Sequence, residues 1–280
     1  MSASNMKAIK NRMKSIKSTR QITKAMELVS TSKMNKAMER IEQSKPYFEI
    51  LSQTLDDIAR DNRDFSSVFT RPREGRTCHI VIAGDRGLAG GYNHNLFKSL
   101  DVQSKDIIFP IGKKVTEHFP KERLYTEEYE RAGDIGLTHC HEIGRIIASA
   151  YEKGEFTRVT LSYTSYKNML VQEPKTVNIL PIHIEHTTEG LRNTRYSLTI
   201  YEPDAETVFE RIVPGYIAGM IYGAVSESVA SELSARRNAM ESATNNADEM
   251  LNKLELEYNS ARQASITQEL TEIIAGAENL

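Results

Sequence analysis

The chain has 280 residues, of which 39% are apolar and 26% are charged, and its formal net charge is −2. These values are typical of a soluble protein with one or two domains. No stretch approaches the roughly 18 consecutive apolar residues of a membrane-spanning helix, and the two cysteines, Cys78 and Cys140, lack the spacing of a metal or redox motif.

The first predicted element is a long helix that starts near Ser4 and ends at about residue 60. No glycine precedes Gly75, and Pro46 is the only proline before Pro72. Apolar residues recur at offsets of three and four, which is the spacing of one helix face. This stripe consists of Met6, Ile9, Met13 and Ile16 and, after a slip of phase, of Ile22, Met26, Val29, Met34, Met38 and Ile41.

The middle of the chain alternates between predicted strands and helices. A polar linker, residues 61–76, leads to a buried run at 79–83, and the glycine-rich turn 84–91 follows it. The remaining elements are helices at 92–100, 113–119 and 137–153 and strands at 107–111, 157–163 and 176–184. Strands that alternate with helices predict βαβ units and a mainly parallel sheet.

The last predicted element is longer still. Asp204 is placed to cap a short helix ending at Val213, and Pro214 then opens a helix that runs to Ala277. Apolar or small residues recur along it at Met240, Ala243, Ala247, Met250, Leu254, Ala261 and Ala264. About 60 residues make a rod of roughly 90 Å, which a compact globule about 50 Å across cannot contain. We therefore expect this helix to project and to need a partner for its apolar stripe.

The two helical ends of the chain are expected to cover each other. Residues 1–45 carry eleven Lys or Arg against three Glu, whereas residues 241–280 carry two basic residues against eight acidic ones. The predicted fold is α/β, with a long antiparallel two-helix coiled coil formed by the N- and C-terminal helices and an inserted Rossmann-like α/β domain. Separate long helices in an ordinary bundle are the alternative. The predicted domains are residues 1–76, 77–206 and 207–280.

The glycine-rich turn invites comparison with a phosphate-binding loop, because Gly84, Gly87, Gly90 and Gly91 follow a strand. The spacing is not that of a dinucleotide fingerprint, and no Lys-Ser or Lys-Thr pair follows as in a Walker loop. A turn that needs positive φ and a close backbone approach is the favoured interpretation. A nucleotide-binding α/β enzyme stays open as an alternative function.

The run His139, Cys140, His141 and Glu142 contains metal-ligating residue types. Consecutive residues of a helix point in different directions, so this run is not expected to hold a metal. No serine, cysteine or carboxylate pair has a recognisable catalytic setting, and no catalytic residue, metal or cofactor is predicted.

The first helix is basic enough to contact nucleic acid phosphates. Its cationic residues are Lys7, Lys10, Arg12, Lys14, Lys17 and Arg20. No aromatic residue precedes Tyr47, so bases would find no stacking platform there. A basic face that meets acidic protein surfaces is favoured, and an RNA-binding coiled-coil arm is the alternative.

Four segments resemble the gamma subunit of F-type ATP synthases. They are residues 22–29 (ITKAMELV), 85–93 (DRGLAGGYN), 201–204 (YEPD) and 261–273 (ARQASITQELTEI). They occur in the order found in that family, and the likeness extends over the whole chain.

This resemblance implies a central rotor shaft in a proton-translocating ATP synthase, non-catalytic itself, at the cytoplasmic face of a bacterial plasma membrane. The implied partners are the alpha and beta subunits of the hexamer, the epsilon subunit and the membrane rotor ring, with one copy per complex and no nucleic acid. The implied contacts with the hexamer are Met26, Arg262, Gln263, Thr267 and Glu269. The implied contacts with the ring are Tyr201 and Glu202.

Overall fold

The computed structural model describes residues 3–61, 65–183 and 200–278. The chain forms two compact units, one made of Met1–Ser32 with Arg236–Leu280 and the other of Lys33–Ala235. In chain order the elements are α1 (Ala3–Asp61), β1 (Thr77–Ile82), α2 (Tyr92–Ser99), β2 (Ile107–Ile111), α3 (Lys113–His118), a 3-10 turn (Lys121–Arg123), α4 (Leu137–Glu152), β3 (Arg158–Tyr166), β4 (Gln172–Leu180) and α5 (Ala205–Glu278). No helix of the described residues is long and apolar enough to cross a membrane.

The larger unit, Lys33–Ala235, contains a four-stranded sheet in the order β2-β1-β3-β4. Strand β1 is parallel to both β2 and β3, and β4 is antiparallel to β3. The mainly parallel sheet predicted from the sequence is therefore confirmed. Strand β4 begins at Gln172, four residues before its predicted start, because cross-strand pairing with β3 extends into the polar segment that the pattern excluded. The strand ends at Leu180, before its predicted end, Ile184, which itself lies outside the described residues.

Apolar side chains cover both faces of this sheet. Cys78, Ile80 and Ile82 of β1 join a large core that includes residues of α1, α4 and α5. Val81 of the same strand, and Ala83 directly after its end, point the other way, into a small core shared with α2, β2 and α3. This alternation is the side-chain period of a strand buried on both faces, and it explains the near-continuous apolar run.

Helix α5 is continuous from Ala205, so the predicted break before Pro214 is wrong. Proline at an interior position removes one backbone hydrogen bond. Packing outweighs that loss here, because Val213 and Ile217 on either side are fully buried. Helix α4 also approaches closely, since a Cβ placed on Gly144 would lie 2.4 Å from the carbonyl oxygen of Pro214.

The smaller unit pairs the two ends of the chain, residues 1–32 and 236–280. On α1, the residues that turn away from solvent follow one another at alternating offsets of three and four. They are Met6, Ile9, Met13, Ile16, Arg20, Thr23, Glu27 and Ser30. On α5 the corresponding series is Met240, Thr244, Ala247, Leu251, Leu254, Tyr258, Ala261 and Ser265. A mean spacing of 3.5 residues is the repeat of a coiled-coil seam.

This series corrects part of the predicted apolar stripe. Ile22 and Val29 are 58% and 54% exposed, and the polar residues Thr23, Glu27 and Ser30 are buried in their place. On α5, Met250 is 51% exposed and Ala264 is also exposed. The seam keeps an unbroken seven-residue repeat through its polar stretch, so the predicted slip of phase does not occur.

Candidate functional site

The side-chain contacts between α1 and α5 within the smaller unit include a threonine pair and an ion pair. The Thr23 and Thr244 hydroxyl oxygens lie 2.7 Å apart in a buried setting. Arg20 Nε donates to Asp248 Oδ1 in a half-exposed ion pair. Arg20 precedes Thr23 on α1, but its partner Asp248 follows Thr244 on α5. The two segments therefore run antiparallel.

The threonine contact also involves the backbone. Thr23 Oγ1 lies 3.0 Å from the carbonyl oxygen of Arg20, and Thr244 Oγ1 lies 2.8 Å from that of Met240. Two hydroxyl hydrogens thus serve three contacts, and either threonine can donate across the seam. A polar pair within the seam favours one alignment of the two helices, because a shifted pairing would separate the two hydroxyls.

A second polar seam residue is satisfied within α1 itself. Glu27 is 8% exposed, and its carboxylate accepts hydrogen bonds of 2.9 and 3.1 Å from Lys24 Nζ. The pair is spaced three residues apart, as neighbours on a helix surface are. Lys24 therefore compensates the charge that the seam position buries.

The predicted hexamer contacts all lie in the smaller unit and face solvent to different degrees. Met26 is half-buried beside the seam, whereas Arg262, Gln263, Thr267 and Glu269 are exposed. The Thr267 hydroxyl donates back to the carbonyl of Gln263 at 3.0 Å. The four exposed side chains belong to consecutive turns of α5 and do not converge on a pocket, which suits a contact surface better than a reaction centre.

The predicted ring contacts precede α5. Tyr201 is half-buried against the core of the larger unit, and Glu202 is exposed. Asp204 then caps α5, because its carboxylate accepts hydrogen bonds from Thr207 N at 2.7 Å and from Thr207 Oγ1 at 2.9 Å. The hydrogen bond from the Thr207 backbone holds the pKa of Asp204 below its usual value.

Backbone hydrogen bonds join the glycine-rich turn to the start of α3. Asp85 Oδ1 accepts from the backbone N–H of Lys113 at 3.1 Å, at the start of α3. The next N–H, that of Lys114, donates to the carbonyl of Gly84 at 3.0 Å. The first two backbone N–H groups of α3 are therefore bonded to the turn and are not open to an anion.

The same turn is tied to α5. Tyr92 Oη lies 2.6 Å from Ser228 Oγ, and a Cβ on Gly84 would lie 2.9 Å from the carboxyl carbon of Glu232. Gly90 has a φ of +56°, a conformation that glycine adopts without strain. The favoured interpretation, a turn with positive φ and a close approach, agrees with this geometry, although the close neighbour is a side chain.

The residues of the His139–Glu142 run diverge on α4. Cys140 is fully buried, and burial raises the pKa of its thiol to about 12. His139 and Glu142 are exposed. Within residues 3–61, 65–183 and 200–278, no three His, Cys, Asp or Glu side chains are grouped so as to hold a metal.

The sequence patterns did not predict one polar cluster in the larger unit, formed by His79, Asp106 and Thr160. His79 Nε2 lies 3.2 Å from Asp106 Oδ2, and Thr160 Oγ1 lies 2.8 Å from His79 Nδ1. Burial alone would raise the pKa of Asp106. Hydrogen bonds from the backbone N–H groups of Thr77 and Gln103, together with His79, hold that pKa below its usual value.

This cluster resembles a catalytic hydroxyl–imidazole–carboxylate relay, but both ionisable members are buried. It links the loop before β2 to β1 and β3, so its geometry supports a structural role. The isolated polar residue within the apolar run at 79–83 was the signal that could have revealed it.

Comparison with known proteins identifies the family. A family model described as ATP synthase matches residues 5–280. The chain is 43% identical to the ATP synthase gamma chain of Ruminococcus albus, over 98% of each chain. It is 36% identical to the sodium-ion-specific ATP synthase gamma chain of Acetobacterium woodii, over 99% of each.

The chain belongs to the ATP synthase gamma chain family.

Solved structures agree on the fold of this gamma chain family member. A chain from the central stalk and c-ring of the Tetrahymena thermophila mitochondrial ATP synthase matches with a TM-score of 0.60 and 24% identity, over 79% of this chain and 99% of that one. A chain from the Euglena gracilis mitochondrial ATP synthase matches with a TM-score of 0.66 and 19% identity, over 98% and 94%. The resemblance drawn from four segments of the sequence is thus confirmed at the level of the gamma chain family.

Proposed function

We propose that this chain is the central rotor shaft of a proton-translocating ATP synthase. The observation that carries the proposal is the 43% identity, over 98% of both chains, to a protein named ATP synthase gamma chain. In this proposal, residues 1–76 and 207–280 supply the coiled-coil shaft, and residues 77–206 form a Rossmann-like α/β foot. The antiparallel pairing of the chain ends supports the shaft, and the mainly parallel sheet supports the foot.

The proposed partners divide between the shaft and the foot. The alpha and beta subunits surround the paired helices, and the epsilon subunit and the membrane rotor ring meet the foot, with one copy of this chain per complex and no nucleic acid. The shaft contacts proposed for the hexamer are Met26, Arg262, Gln263, Thr267 and Glu269. Those proposed for the ring are Tyr201 and Glu202. The exposure of the four α5 residues supports the assignment, because side chains that face solvent in the isolated chain are free to meet a partner.

The chain itself performs no bond chemistry in this proposal and needs no metal or cofactor. It is held at the cytoplasmic face of the bacterial plasma membrane through the complex. ATP is made or hydrolysed at the beta subunits, and proton flow turns the foot.

The asymmetry of the shaft couples its rotation to the conformations of the beta subunits. Two different helices paired antiparallel have no threefold symmetry, so three equivalent beta subunits meet three different surfaces. A bound surface shifts a conformational equilibrium only by its differential affinity for the competing states. Rotation of the shaft moves this difference in affinity from one beta subunit to the next. ATP hydrolysis reverses the direction of rotation.

Assembly tests the proposal. The full chain is mixed with purified alpha and beta subunits of the same organism, and the complex is weighed by native mass spectrometry. One copy per hexamer, together with ATP hydrolysis by the complex, is expected. Failure of the intact chain to join the hexamer would overturn the proposal. Binding of ATP by the chain alone, measured by calorimetry, would favour a nucleotide-binding enzyme instead.

A further inference from the structure

Helix α5 changes character towards the end of the larger unit. Its earlier residues pack against the core through apolar side chains, and Phe209, Val213 and Ile221 among them are fully buried. Between residues 226 and 234, most of the buried side chains are polar instead. They are Ser226, Ser228, Ser231, Glu232 and Ser234. This second segment is therefore held by contacts of another kind.

One side of the segment is bonded to the hairpin formed by β3 and β4. Ser165 Oγ on β3 donates to Glu227 Oε2 at 2.8 Å. Further along α5, Ser234 Oγ donates to the carbonyl oxygen of Met169 at 2.8 Å, and the side-chain amide of Gln172 donates to Ser234 Oγ at 3.4 Å. Seven residues bring a helix back to nearly the same side, so Glu227 and Ser234 both face the hairpin.

Another side of the segment is bonded to the glycine-rich turn. Tyr92 Oη donates to the carbonyl oxygen of Ser228 at 3.1 Å and lies 2.6 Å from Ser228 Oγ. The tyrosine can therefore donate to the carbonyl while it accepts from the serine. One helical turn later, the carboxyl group of Glu232 lies against Gly84, whose missing side chain leaves room for it.

These two sides together hold α5 from different directions. We call Glu227, Ser228, Glu232 and Ser234 the polar collar. At 3.6 residues per turn, its two members that face the glycine-rich turn lie roughly 130° around the helix from the two that face the hairpin. Apolar burial is non-directional, whereas a hydrogen bond weakens as its angle departs from linear. Hydrogen bonds from two directions therefore oppose rotation of α5 about its own axis.

We propose that the polar collar is a torsional grip through which the foot turns α5. This inference rests on the proposed function, in which residues 77–206 form the foot and residues 207–280 belong to the shaft. Torque that enters the foot must pass to a helix of the shaft, and the collar joins that helix to two separate loops of the foot. Tyr92 and Ser234 are positioning residues in this proposal, because they fix the angle between the foot and the helix.

Three substitutions test the grip. Tyr92→Phe removes the hydroxyl that bonds Ser228, and Ser234→Ala removes the hydroxyl that bonds the hairpin. Ser226→Ala is the matched control, because Ser226 is also a buried serine of α5 but donates within the helix, to the carbonyl of Tyr222 at 2.9 Å. Each full-length variant is assembled with purified alpha and beta subunits fixed to a surface. A bead on an exposed position of the foot reports the angle of the foot while ATP turns it.

The measured quantity is the variance of the bead's angle during its pauses. Buried hydrogen bonds are of similar strength, so the loss of one side of the grip should halve its stiffness and raise the variance about twofold in Tyr92→Phe. Ser234→Ala should raise the variance less, because Glu227 keeps its bond to Ser165. Ser226→Ala should match wild type. ATP hydrolysis by complexes without beads should keep the wild-type rate in every variant.

Three results would overturn the proposal. The first is a wild-type variance in both Tyr92→Phe and Ser234→Ala, and the second is an equal rise in Ser226→Ala. The third is a fall in ATP hydrolysis that accompanies the wider angle, because a general loss of structure would then explain both changes. A wild-type bead that does not turn at all would instead contradict the proposed function.

Discussion

Replacing the threonines that meet across the seam tests how the shaft holds its register. Thr23 and Thr244 are 8% and 5% exposed, and their oxygens lie 2.7 Å apart. Thr23→Val removes the interhelical hydrogen bond but keeps the side-chain shape. The Thr244 hydroxyl can still donate to the carbonyl of Met240 at 2.8 Å, so it keeps a hydrogen-bond partner. The expected loss is that of one buried hydrogen bond, about 0.5–1.5 kcal/mol.

The loss should appear as faster hydrogen exchange in α1. Local opening of the smaller unit is measured by mass spectrometry on a peptide covering residues 17–28, because such opening need not unfold the whole chain. A loss of 0.5–1.5 kcal/mol speeds exchange about twofold to tenfold. Thr244→Val should give a similar change, and the double variant should be little worse than either single variant, because all three remove the same bond.

Thr19→Val is the matched control. Thr19 is exposed, and its hydroxyl donates to the carbonyl of Ser15, four residues earlier, at 3.2 Å, whereas that of Thr23 lies near the carbonyl of Arg20, three residues earlier. The substitution is chemically identical to Thr23→Val and lies in the same peptide, so it should leave exchange nearly unchanged. Equal effects of the two substitutions, or effects of Thr23→Val and Thr244→Val that add in full, would refute the assigned cross-seam bond.

Four further outcomes are expected. Arg262→Ala with Gln263→Ala should lower ATP-driven proton pumping in membranes while leaving the helicity of the isolated chain intact; unchanged pumping would count against this contact. Met26→Lys places a charge beside the seam and should reduce protons pumped per ATP hydrolysed, and an unaltered ratio would refute that. Asp106→Asn should lower the free energy of unfolding by about 1–3 kcal/mol at pH 7; because the folded pKa of Asp106 is depressed, the deficit is full above the unfolded value near 3.8 and disappears as pH falls through the folded pKa. Cys140, whose pKa burial raises to about 12, should react with thiol reagents at pH 8 only after urea unfolds the chain, and rapid labelling of the folded chain would contradict its burial.

Sequence patterns predicted strands β1 and β2 of the larger unit well because both are buried on both faces. The run at 79–83 and the strand at 107–111 contain few polar residues, so both strands were visible without any partner, although β1 extends from Thr77 to Ile82. Strand β4 lies at the sheet edge, where Glu173, Lys175 and Thr176 face solvent. Its start depended on pairing with β3, which the composition of one strand does not reveal.

The seam of the smaller unit was harder to predict, because several positions of its seven-residue repeat hold polar residues instead of apolar ones. After Ile16, the next apolar residue assigned to the predicted stripe is Ile22, and this step departs from the seven-residue repeat of the seam. That repeat continues through Arg20, Thr23 and Glu27, which are held by Asp248, Thr244 and Lys24. Two of these three partners lie more than 200 residues away, so only the folded chain identifies them.

The proposed contact residues come from the family resemblance and not from composition. Arg262, Gln263 and Glu269 are exposed polar residues with no pocket around them, and nothing in their pattern distinguishes them from other solvated residues of a helix. Only the likeness of the segment 261–273 to a known family singled them out. Their contacts with a hexamer remain predictions.

Direct observation of rotation tests the central claim, that this chain turns as an asymmetric shaft inside its ring. The hexamer assembled around the full chain is fixed to a surface through its beta subunits, and a bead is attached to an exposed position of the larger unit. With ATP added, the bead should turn in one direction and pause at thirds of a turn, as three equivalent beta subunits require. A bead that stays still while the same complexes hydrolyse ATP at the full rate would contradict the account.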